Sequence, residues 1–446
     1  MASDLLSIGA SGARAARGAL EVTANNIANA STDGYVRRSV RIEEVSGGSI
    51  AGRGSDISVS GSRVGEVRRN ADSFRQAELR RTQADLERAN VELSGLQNIE
   101  AAVEQAGIFD SIVEFEATLQ QLTGDPTDSA RRAAVVAEAE TLASKFNITA
   151  GSLASVRDGL HFNAQADVEN LNTYGAELAR VNLRLARSGF GSNDQAALLD
   201  QRDNLLERMS ALASVSTTFA SDGTVAVGLG ASPGTPFVAG GTAGKVASAI
   251  AADGTMSFTL NGQAVSPASG SLTGAALALG DLAAIGTRLD AAAESIATTI
   301  NAAQANGVAL DGSAGQPMFA GTTAASLRVV LTSGSGLATA PAGSPANDRN
   351  QQNLTEMRQA LSAANPAEGI NTILFDVSSK VAGRQVTQGA LETIASSARI
   401  ALEEQSGVDL DNEAANLIRY QQAFQASGRA MQVASDIFDT LLGVGR

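Results

Sequence analysis

Apolar residues recur every seven positions in one stretch at each end of the chain. Near the N-terminus, two interleaved series form one stripe: Leu5, Ile8, Gly12, Ala15, Ala19 and Val22. Near the C-terminus, mostly larger side chains follow the same spacing: Leu410, Leu417, Tyr420, Phe424, Met431, Phe438 and Leu441. A seven-residue apolar repeat is typical of helices that pack side by side as coiled coils. The pattern therefore predicts a coiled-coil helix at each end.

Three asparagines, Asn25, Asn26 and Asn29, stand where the N-terminal stripe ends. Continuing the heptad frame places Asn26 and Asn29 on the same seam, and polar seam residues fix the register of a coiled coil at some cost in stability. A second interpretation is that the helix simply ends here in a turn, where asparagine is favoured because its side chain bonds to nearby backbone. The pattern alone leaves both interpretations open.

Amphipathic segments between the two stripes predict long helices that pack as a bundle. The predicted helices cover 71–106, a segment beginning with Asp125 and Pro126, about 164–187, 196–212 and about 281–303. Asp suits a helix N-cap and Pro the first helical position. Residues 36–70 resemble strands or a linker, residues 332–350 a loop, and Asn365 with Pro366 a break between later helices.

The composition changes between Arg208 and Arg288, where Lys245 is the only basic residue and Gly, Thr, Ser and Val dominate. Here SDGTVAVGL and ADGTMSFTLNGQAV alternate around Asp-Gly and Asn-Gly turns, which is typical of β-hairpins. The predicted fold class is therefore mainly α with an inserted β domain. The expected domains are a terminal coiled-coil domain (1–60 and 400–446), a helical-bundle domain (61–212 and 281–399) and a small outer β domain (213–280).

A single terminal helix is marginally stable alone, because its few large apolar side chains do not offset the entropy of ordering it. Pairing the two terminal helices buries more apolar surface but still leaves an apolar flank. We therefore expect other copies of the molecule, or relatives of it, to cover that flank. The candidate assembly interface consists of the apolar residues of both stripes together with Asn25, Asn26 and Asn29.

The charge of the chain limits its classes of partner. The 446 residues carry a formal net charge of −14 with a pI of about 4.7, whereas binding of nucleic acid needs a basic face. No cysteine occurs, which excludes disulfides and thiolate chemistry. The first residues lack a basic segment followed by an apolar one, so we expect no cleaved secretory signal. No stretch approaches the length needed to span a membrane, and we expect no membrane insertion.

Candidate catalytic residues are few. His161 is the only histidine, and we expect it just before a helix in a surface or capping role. The acidic run DLDNE starts like a calcium loop but lacks the glycine and distal glutamate of such a loop, so Asp409 or Asp411 is better interpreted as a helix cap. Asp222 and Asp253, the only acidic residues of the predicted β domain, precede glycines in turns. We assign no catalytic, cofactor-binding or metal-binding residue and expect no enzyme.

Both ends of the chain resemble the bacterial flagellar axial proteins, the family of rod, hook and hook-associated proteins. ANNIANASTDGY is similar to the N-terminal signature of that family, and EAANLIRYQQAFQAS is similar to the hook-associated members at the junction of hook and filament. Interior segments agree in the same order: GDPTDSARRAAVVAEAETLASKFN, LLDQRDNLLERMSAL and INAAQANGVALDGSAGQPMF. The resembling parts cover about two thirds of the chain, and their order makes the resemblance specific.

The resemblance implies a structural component of the flagellum that adapts the hook to the filament. Such proteins are exported unfolded without signal cleavage, and their terminal helices form an inner tube outside the cell. The implied partners are further copies of the chain, the hook protein, a second junction protein and an export chaperone that holds the C-terminal helix. Two alternatives stay open: another axial protein, such as a hook or filament subunit, and a flagellum-associated wall hydrolase, which would need a carboxylate pair or metal site in the β insert.

Overall fold

A computed structural model of the chain describes residues 2–32, 34–45, 61–230 and 233–444. The chain divides into two compact units. Unit 1 consists of Met1–Asp85, Asn170–Val246 and Glu392–Arg446, and unit 2 consists of Leu86–Glu169 and Ala247–Leu391. Each unit therefore brings together segments that lie far apart in the sequence.

Long helices dominate the described residues, as the amphipathic pattern predicts. They are α1 (Ala2–Ala28), α2 (Ser73–Glu104), α3 (Ile108–Leu122), α4 (Ser129–Leu185), α5 (Asn193–Leu212), α6 (Ser271–Ala305), α7 (Gln352–Ala364), α8 (Pro366–Ser406) and α9 (Leu410–Val444). The predicted break between the later helices is confirmed. Asn365 caps α7 in the left-handed conformation at φ 44°, and Pro366 begins α8.

The prediction of two separate helices between residues 125 and 187 is wrong, because the single helix α4 spans both. It also begins later than expected. Asp125 accepts a hydrogen bond from the Thr127 backbone N–H (3.1 Å) in a turn, whereas Asp128 accepts one from the Arg131 N–H (3.0 Å) and caps the helix. Conversely, α6 begins earlier than predicted, at Ser271.

Short strands complete the described structure. They are β1 (Arg38–Val45), β2 (Gly61–Arg69), β3 (Val215–Phe219), β4 (Val225–Leu229), β5 (Thr235–Ala239), β6 (Thr242–Ala243), β7 (Val246–Ile250), β8 (Met256–Leu260), β9 (Gln263–Val265), β10 (Gly307–Val308), β11 (Phe319–Ala320), β12 (Arg328–Val329) and β13 (Ala340–Pro341). Strands β1 and β2 pair antiparallel, so residues 36–70 hold strands as predicted, while 46–60 lie outside the described residues. The strands also form the small pairs β10–β13 and β11–β12. Strand β12 ends just before the predicted loop 332–350, whereas β13 lies inside it.

The predicted hairpins are confirmed. Asp222 lies between β3 and β4, Asp253 between β7 and β8, and Asn261 between β8 and β9 with φ 52°. These strands form two sheets, β3–β6 and β7–β9. The first sheet lies in unit 1 and nearly all of the second in unit 2, so the compact units are cut at other places than the three expected domains. The division into those three domains stays a prediction.

Four asparagines each make two hydrogen bonds with the backbone N–H and C=O of a single strand residue, as a neighbouring strand would. Asn182 Oδ1 accepts from the Val225 N–H (3.0 Å) while its Nδ2 donates to the Val225 carbonyl (2.9 Å). The same two-bond arrangement joins Asn26 to Arg38, Asn172 to Val246 and Asn301 to Phe319. Because each bond pair satisfies one N–H and one C=O, these helical residues fix where a strand meets a helix.

Unit 2 holds a large hydrophobic core. Phe115 meets Phe319 edge-on at a centroid distance of 6.1 Å, and α6 adds Leu289, Ile296 and Ile300. Helix α6 is also long and apolar enough, by length and composition, to cross a membrane, so the prediction that no stretch is long enough is wrong. Its apolar side chains line this core, which accounts for its hydropathy.

Candidate functional site

Helices α1 and α9 pack against each other in unit 1 through small residues. A Cβ atom added at Gly9 would lie 2.6 Å from Met431 Cγ, and one added at Gly12 would lie 2.8 Å from Ser427 Oγ. A later position on α1 (Gly12 after Gly9) thus meets an earlier position on α9 (Ser427 before Met431), so the two helices are antiparallel. The N-terminal stripe thus pairs with the C-terminal stripe within one chain.

The small members of the N-terminal stripe form the buried side of this pair. Ala15, Ala19 and Val22 are buried. On α9, Ala434 is buried, whereas three predicted stripe residues are only half-buried: Leu417, Tyr420 and Met431. The close approach permitted by glycine and alanine explains why this seam needs few large side chains.

The large members of both stripes remain exposed. On α9, Leu410, Phe424 and Phe438 have 54%, 43% and 52% of their surface exposed, and Leu5 and Ile8 on α1 are exposed as well. Four further exposed apolar residues were not predicted: Leu6, Ile418, Val433 and Ile437. The side chain of Leu441 lies outside the described residues. The described terminal pair therefore carries an uncovered apolar surface, here called the terminal apolar surface, made of these nine exposed residues.

The asparagines at the end of α1 have partners within their own chain. Asn26 is 1% exposed. Its Oδ1 accepts from the Tyr35 hydroxyl (2.8 Å) in addition to its two bonds with the Arg38 backbone. Asn29 donates from Nδ2 to the Asn25 carbonyl (2.9 Å), which closes the last turn of the helix. These bonds support the helix-end interpretation, while contacts of the three asparagines with neighbouring subunits stay a prediction.

A partly buried ion pair joins the first turn of α9 to the segment after α1. Arg37 Nε donates to Glu413 Oε1 at 2.7 Å, and the Glu413 side chain is 2% exposed. The Arg37 backbone N–H donates to the Ser406 carbonyl (2.9 Å). Asp409 Oδ1 accepts from the N–H groups of the first turn of α9, which confirms the predicted cap. Sequence reasoning missed Arg37 and Glu413 because they are far apart in the chain.

Next to this ion pair lies an arginine–aspartate cluster: Arg38, Arg69, Arg202, Asp200 and Asp203. Arg38 and Arg69 each donate to Asp200, at 2.8 and 2.9 Å. Asp203 accepts from Arg69 (2.9 Å) and from two nitrogens of Arg202 (2.8 and 2.6 Å). Burial alone would raise the pKa of Asp203, but the neighbouring Arg202 and Arg69 guanidinium groups lower it below its ordinary value. The cluster joins β1 and β2 to α5.

The residues considered for catalysis take structural positions. His161 lies within α4 and is buried, with Nε2 at 2.9 Å from the Gly254 carbonyl, so the expectation of a surface or capping role before a helix is wrong. Asp222 and Asp253 each accept from the backbone N–H and the hydroxyl of the threonine two positions on. Within the described residues, no group of three or more His, Asp or Glu side chains is arranged to hold a metal ion.

Comparison with known proteins identifies relatives over most of the chain. The family model described as the flagellar hook-associated protein FlgK helical domain matches residues 93–319. A model described as the flagellar basal body rod FlgEFG protein C-terminal matches residues 401–444, and one described as flagella basal body rod protein matches residues 6–35. The two rod-protein models thus cover most of α1 with the residues after it, and the end of α8 with all of α9.

Individual relatives agree. Flagellar hook-associated protein 1 of Bacillus subtilis is 23% identical over 97% of this chain and 96% of the relative. Its namesake from Salmonella typhimurium is 29% identical over 55% of this chain and 44% of the relative. A solved structure, titled as the flagellar hook junction protein FlgK from Burkholderia pseudomallei, matches 54% of this chain and 46% of its own with a TM-score of 0.49 and 24% identity. Because the helical-domain model alone covers just over half of the residues, this chain belongs to the family of the flagellar hook-associated protein FlgK.

Proposed function

We propose that this protein is a structural component of the bacterial flagellum that joins the hook to the filament and assembles through α1 and α9. One coincidence supports the proposal above all. The segments similar to axial rod proteins, 6–35 and 401–444, contain most of α1 and all of α9, the helices that carry the terminal apolar surface. The two ends of this chain that are similar to axial proteins therefore also carry its uncovered apolar side chains.

The free energy of assembly comes from that surface. Burying one Leu or Phe side chain contributes roughly 1.5–3 kcal/mol. Leu410, Phe424 and Phe438 each leave about half of their surface exposed, so neighbouring subunits can cover apolar area that the single chain does not. Large exposed apolar patches on a folded chain mark interaction sites.

The proposed partners are those that the resemblance of both chain ends to flagellar axial proteins implies. Further copies of the chain cover the terminal apolar surface, and the hook protein and a second junction protein contact the two ends of the tube segment that these copies form. An export chaperone holds α9 before assembly through its heptad residues. The protein resides at the hook–filament junction outside the cell. Its role is structural, not catalytic. The B. subtilis relative named flagellar hook-associated protein 1, matched over nearly its full length, supports this assignment.

A second candidate function is a subunit of the hook or filament. The matches of both chain ends to rod-protein models favour it, because those ends are common to several axial proteins. The match of 93–319 to the FlgK helical domain favours the junction role instead. The phenotype of the deletion separates the two: loss of a junction protein leaves hooks without filaments and releases filament subunits into the medium, whereas loss of the hook subunit removes hooks.

The proposal is tested by complementing a deletion strain with two matched variants. Phe424→Asp places a charge on the terminal apolar surface, and Phe375→Asp places the same charge on a phenylalanine of α8 in unit 2 that is 71% exposed. We expect F424D to abolish swimming, leave hooks without filaments and release filament subunits into the medium. F375D should swim normally. Circular dichroism and thermal unfolding of both purified variants check that each still folds.

Two results would contradict the proposal. Normal junctions in F424D would remove the terminal apolar surface from assembly. Equal loss of junctions in F424D and F375D would mean that any exposed charge is damaging, so the effect would not locate the interface.

A further inference from the structure

Met431 lies on α9 at the point where that helix meets Gly9 of α1. A Cβ atom added at Gly9 would lie 2.6 Å from Met431 Cγ and 3.3 Å from the Met431 backbone nitrogen, so the methionine occupies the space that the glycine leaves open. Gly9 is buried, whereas residues 4–8 of α1 and 435–440 of α9 are all exposed. Met431 therefore lies near the end of the buried seam, next to an exposed tip of the helix pair.

Met431 is also the most accessible methionine among those that the structure describes. Of the six methionines of the chain, five have described side chains. Met209, Met318 and Met357 are 0% exposed and Met256 is 9% exposed, whereas Met431 is half-buried. Because oxidation of a thioether requires the oxidant to reach the sulfur atom, a peroxide that meets the folded chain reacts with Met431 before the four buried methionines.

The seam is poorly suited to an oxidised side chain. Oxidation turns the flexible, apolar methionine into a polar residue whose sulfoxide oxygen accepts hydrogen bonds. Ser427, one turn earlier on α9 and opposite Gly12, already donates its hydroxyl hydrogen to the Ala423 carbonyl (2.9 Å). The sulfoxide oxygen would either lie unpaired in the seam, which is costly, or turn toward water and draw the side chain away from Gly9. Both outcomes loosen the contact between α1 and α9.

We propose that Met431 is a site of reversible oxidation, and that its conversion to the sulfoxide opens the tip of the α1–α9 pair. The thioether sulfur attacks one oxygen of hydrogen peroxide and the O–O bond breaks. The second oxygen leaves as hydroxide and takes the proton of the sulfur-bound oxygen, giving water, so sulfur is oxidised by two electrons and the peroxide is reduced. A methionine sulfoxide reductase reverses the step with two electrons from a thiol and releases the oxygen as water. This inference does not depend on the proposed function.

The first measurement is the rate of oxidation at each methionine. The full chain is treated with dilute hydrogen peroxide in neutral buffer and then digested, and mass spectrometry follows each methionine-containing peptide. We expect Met431 to be oxidised at least about tenfold faster than Met209, Met318 and Met357, which react only when the core opens. Equal rates at Met431 and at these buried methionines would overturn the assignment of the site.

The second measurement is hydrogen exchange of peptides that cover 2–12 and 430–440. We expect exchange to rise about tenfold after oxidation of the wild-type chain, because a polar group has entered the seam, and to return to its starting value after treatment with methionine sulfoxide reductase. Met431→Leu keeps a similar volume and forms no sulfoxide, so it should not respond to peroxide. Unchanged exchange in a wild-type chain that is fully oxidised at Met431 would overturn the proposal.

Two further variants separate this effect from general damage by peroxide. Met431→Gln places a polar side chain in the seam and should raise exchange in the same peptides without any oxidant. The matched control combines Met431→Leu with Val386→Met. Val386 lies on α8 in unit 2 and is 76% exposed, so peroxide should oxidise the introduced methionine and leave exchange in 2–12 and 430–440 unchanged. A rise in this double variant equal to that of the wild type would show that oxidation at Met431 is not the cause.

Discussion

Replacing Arg132 by methionine is expected to release the segment 334–339 from α4. Arg132 is the largest fully buried side chain of unit 2. Its guanidinium donates to the carbonyls of Gly334 (3.2 Å) and Leu337 (2.8 Å), to Thr339 Oγ1 (2.6 Å) and, from Nε, to the Pro126 carbonyl. One side chain therefore holds both the turn before α4 and a segment about two hundred residues later.

The magnitude follows from the groups left behind. Methionine conserves much of the volume but donates nothing, so several buried acceptors lose their partner at about 1–3 kcal/mol each. Removing the buried charge offsets part of this loss, because burial disfavours the charged guanidinium and lowers the pKa of Arg132. We estimate a net cost of about 3 kcal/mol, which corresponds to roughly a hundredfold increase in local opening.

Native-state hydrogen exchange, read by mass spectrometry on peptides that cover 330–341, measures this opening directly. The matched control is Arg131→Met, since Arg131 is exposed and donates one hydrogen bond, to the Gln121 carbonyl (2.9 Å). We expect exchange in 330–341 to rise about a hundredfold in R132M and less than tenfold in R131M. Equal exchange in the two variants would refute the view that Arg132 holds this segment.

Three further predictions concern single side chains. Gly175→Ala should destabilise unit 1 by about 1–3 kcal/mol in thermal unfolding, because the added Cβ would lie 2.5 Å from the Phe237 ring. The control is Gly151→Ala on the same helix, where an added Cβ meets nothing within 4 Å, so this change should be neutral or stabilising. Asn182→Ala should cost about 2 kcal/mol or more and increase hydrogen exchange in β4. Folding lowers the pKa of Asp203, so its contribution to stability is present above the ordinary aspartate pKa of 3.8 and is lost as the pH falls through the lowered pKa of the folded state. In Asp203→Asn, the stability of unit 1 in acid unfolding should lose this part of its pH dependence.

The sequence predicted the elements that local chemistry determines. The heptad spacing of Leu410, Leu417 and Phe424 predicted α9, the Asp-Gly and Asn-Gly pairs predicted the hairpins, and Asn365 with Pro366 predicted the break before α8. Each signal lies within a few residues of the structure that it specifies. The continuity of α4 was missed because Gly151 and Gly159 weaken the helical pattern, while buried residues such as Leu153 and Leu160 on the same helix hold it in place by packing.

Contacts between distant residues were beyond the sequence pattern. Nothing near Asn26 indicates that its amide binds the Arg38 backbone, because the partner depends on how the chain returns after the turn. Likewise, Glu413 belongs to a run of acids that looks like a helix cap, and only the fold brings it to Arg37. The same polar residue types occur on a helix whether they face water or bind a strand, so the sequence pattern alone does not distinguish solvent-facing residues from strand-binding ones.

In the terminal pair, the residues that bring α1 and α9 together differ from those that we propose for assembly. Gly9, Gly12 and Ala19 let α1 and α9 approach closely, whereas Phe424 and Phe438 keep about half of their surface outside that seam. A large apolar side chain contributes most where its area is fully removed from water. Exchanging an exposed phenylalanine for a polar residue should therefore cost a single chain little stability and cost an assembly much more. A larger residue at Gly9 or Gly12 should instead destabilise the single chain, because the added side chain would push α1 and α9 apart.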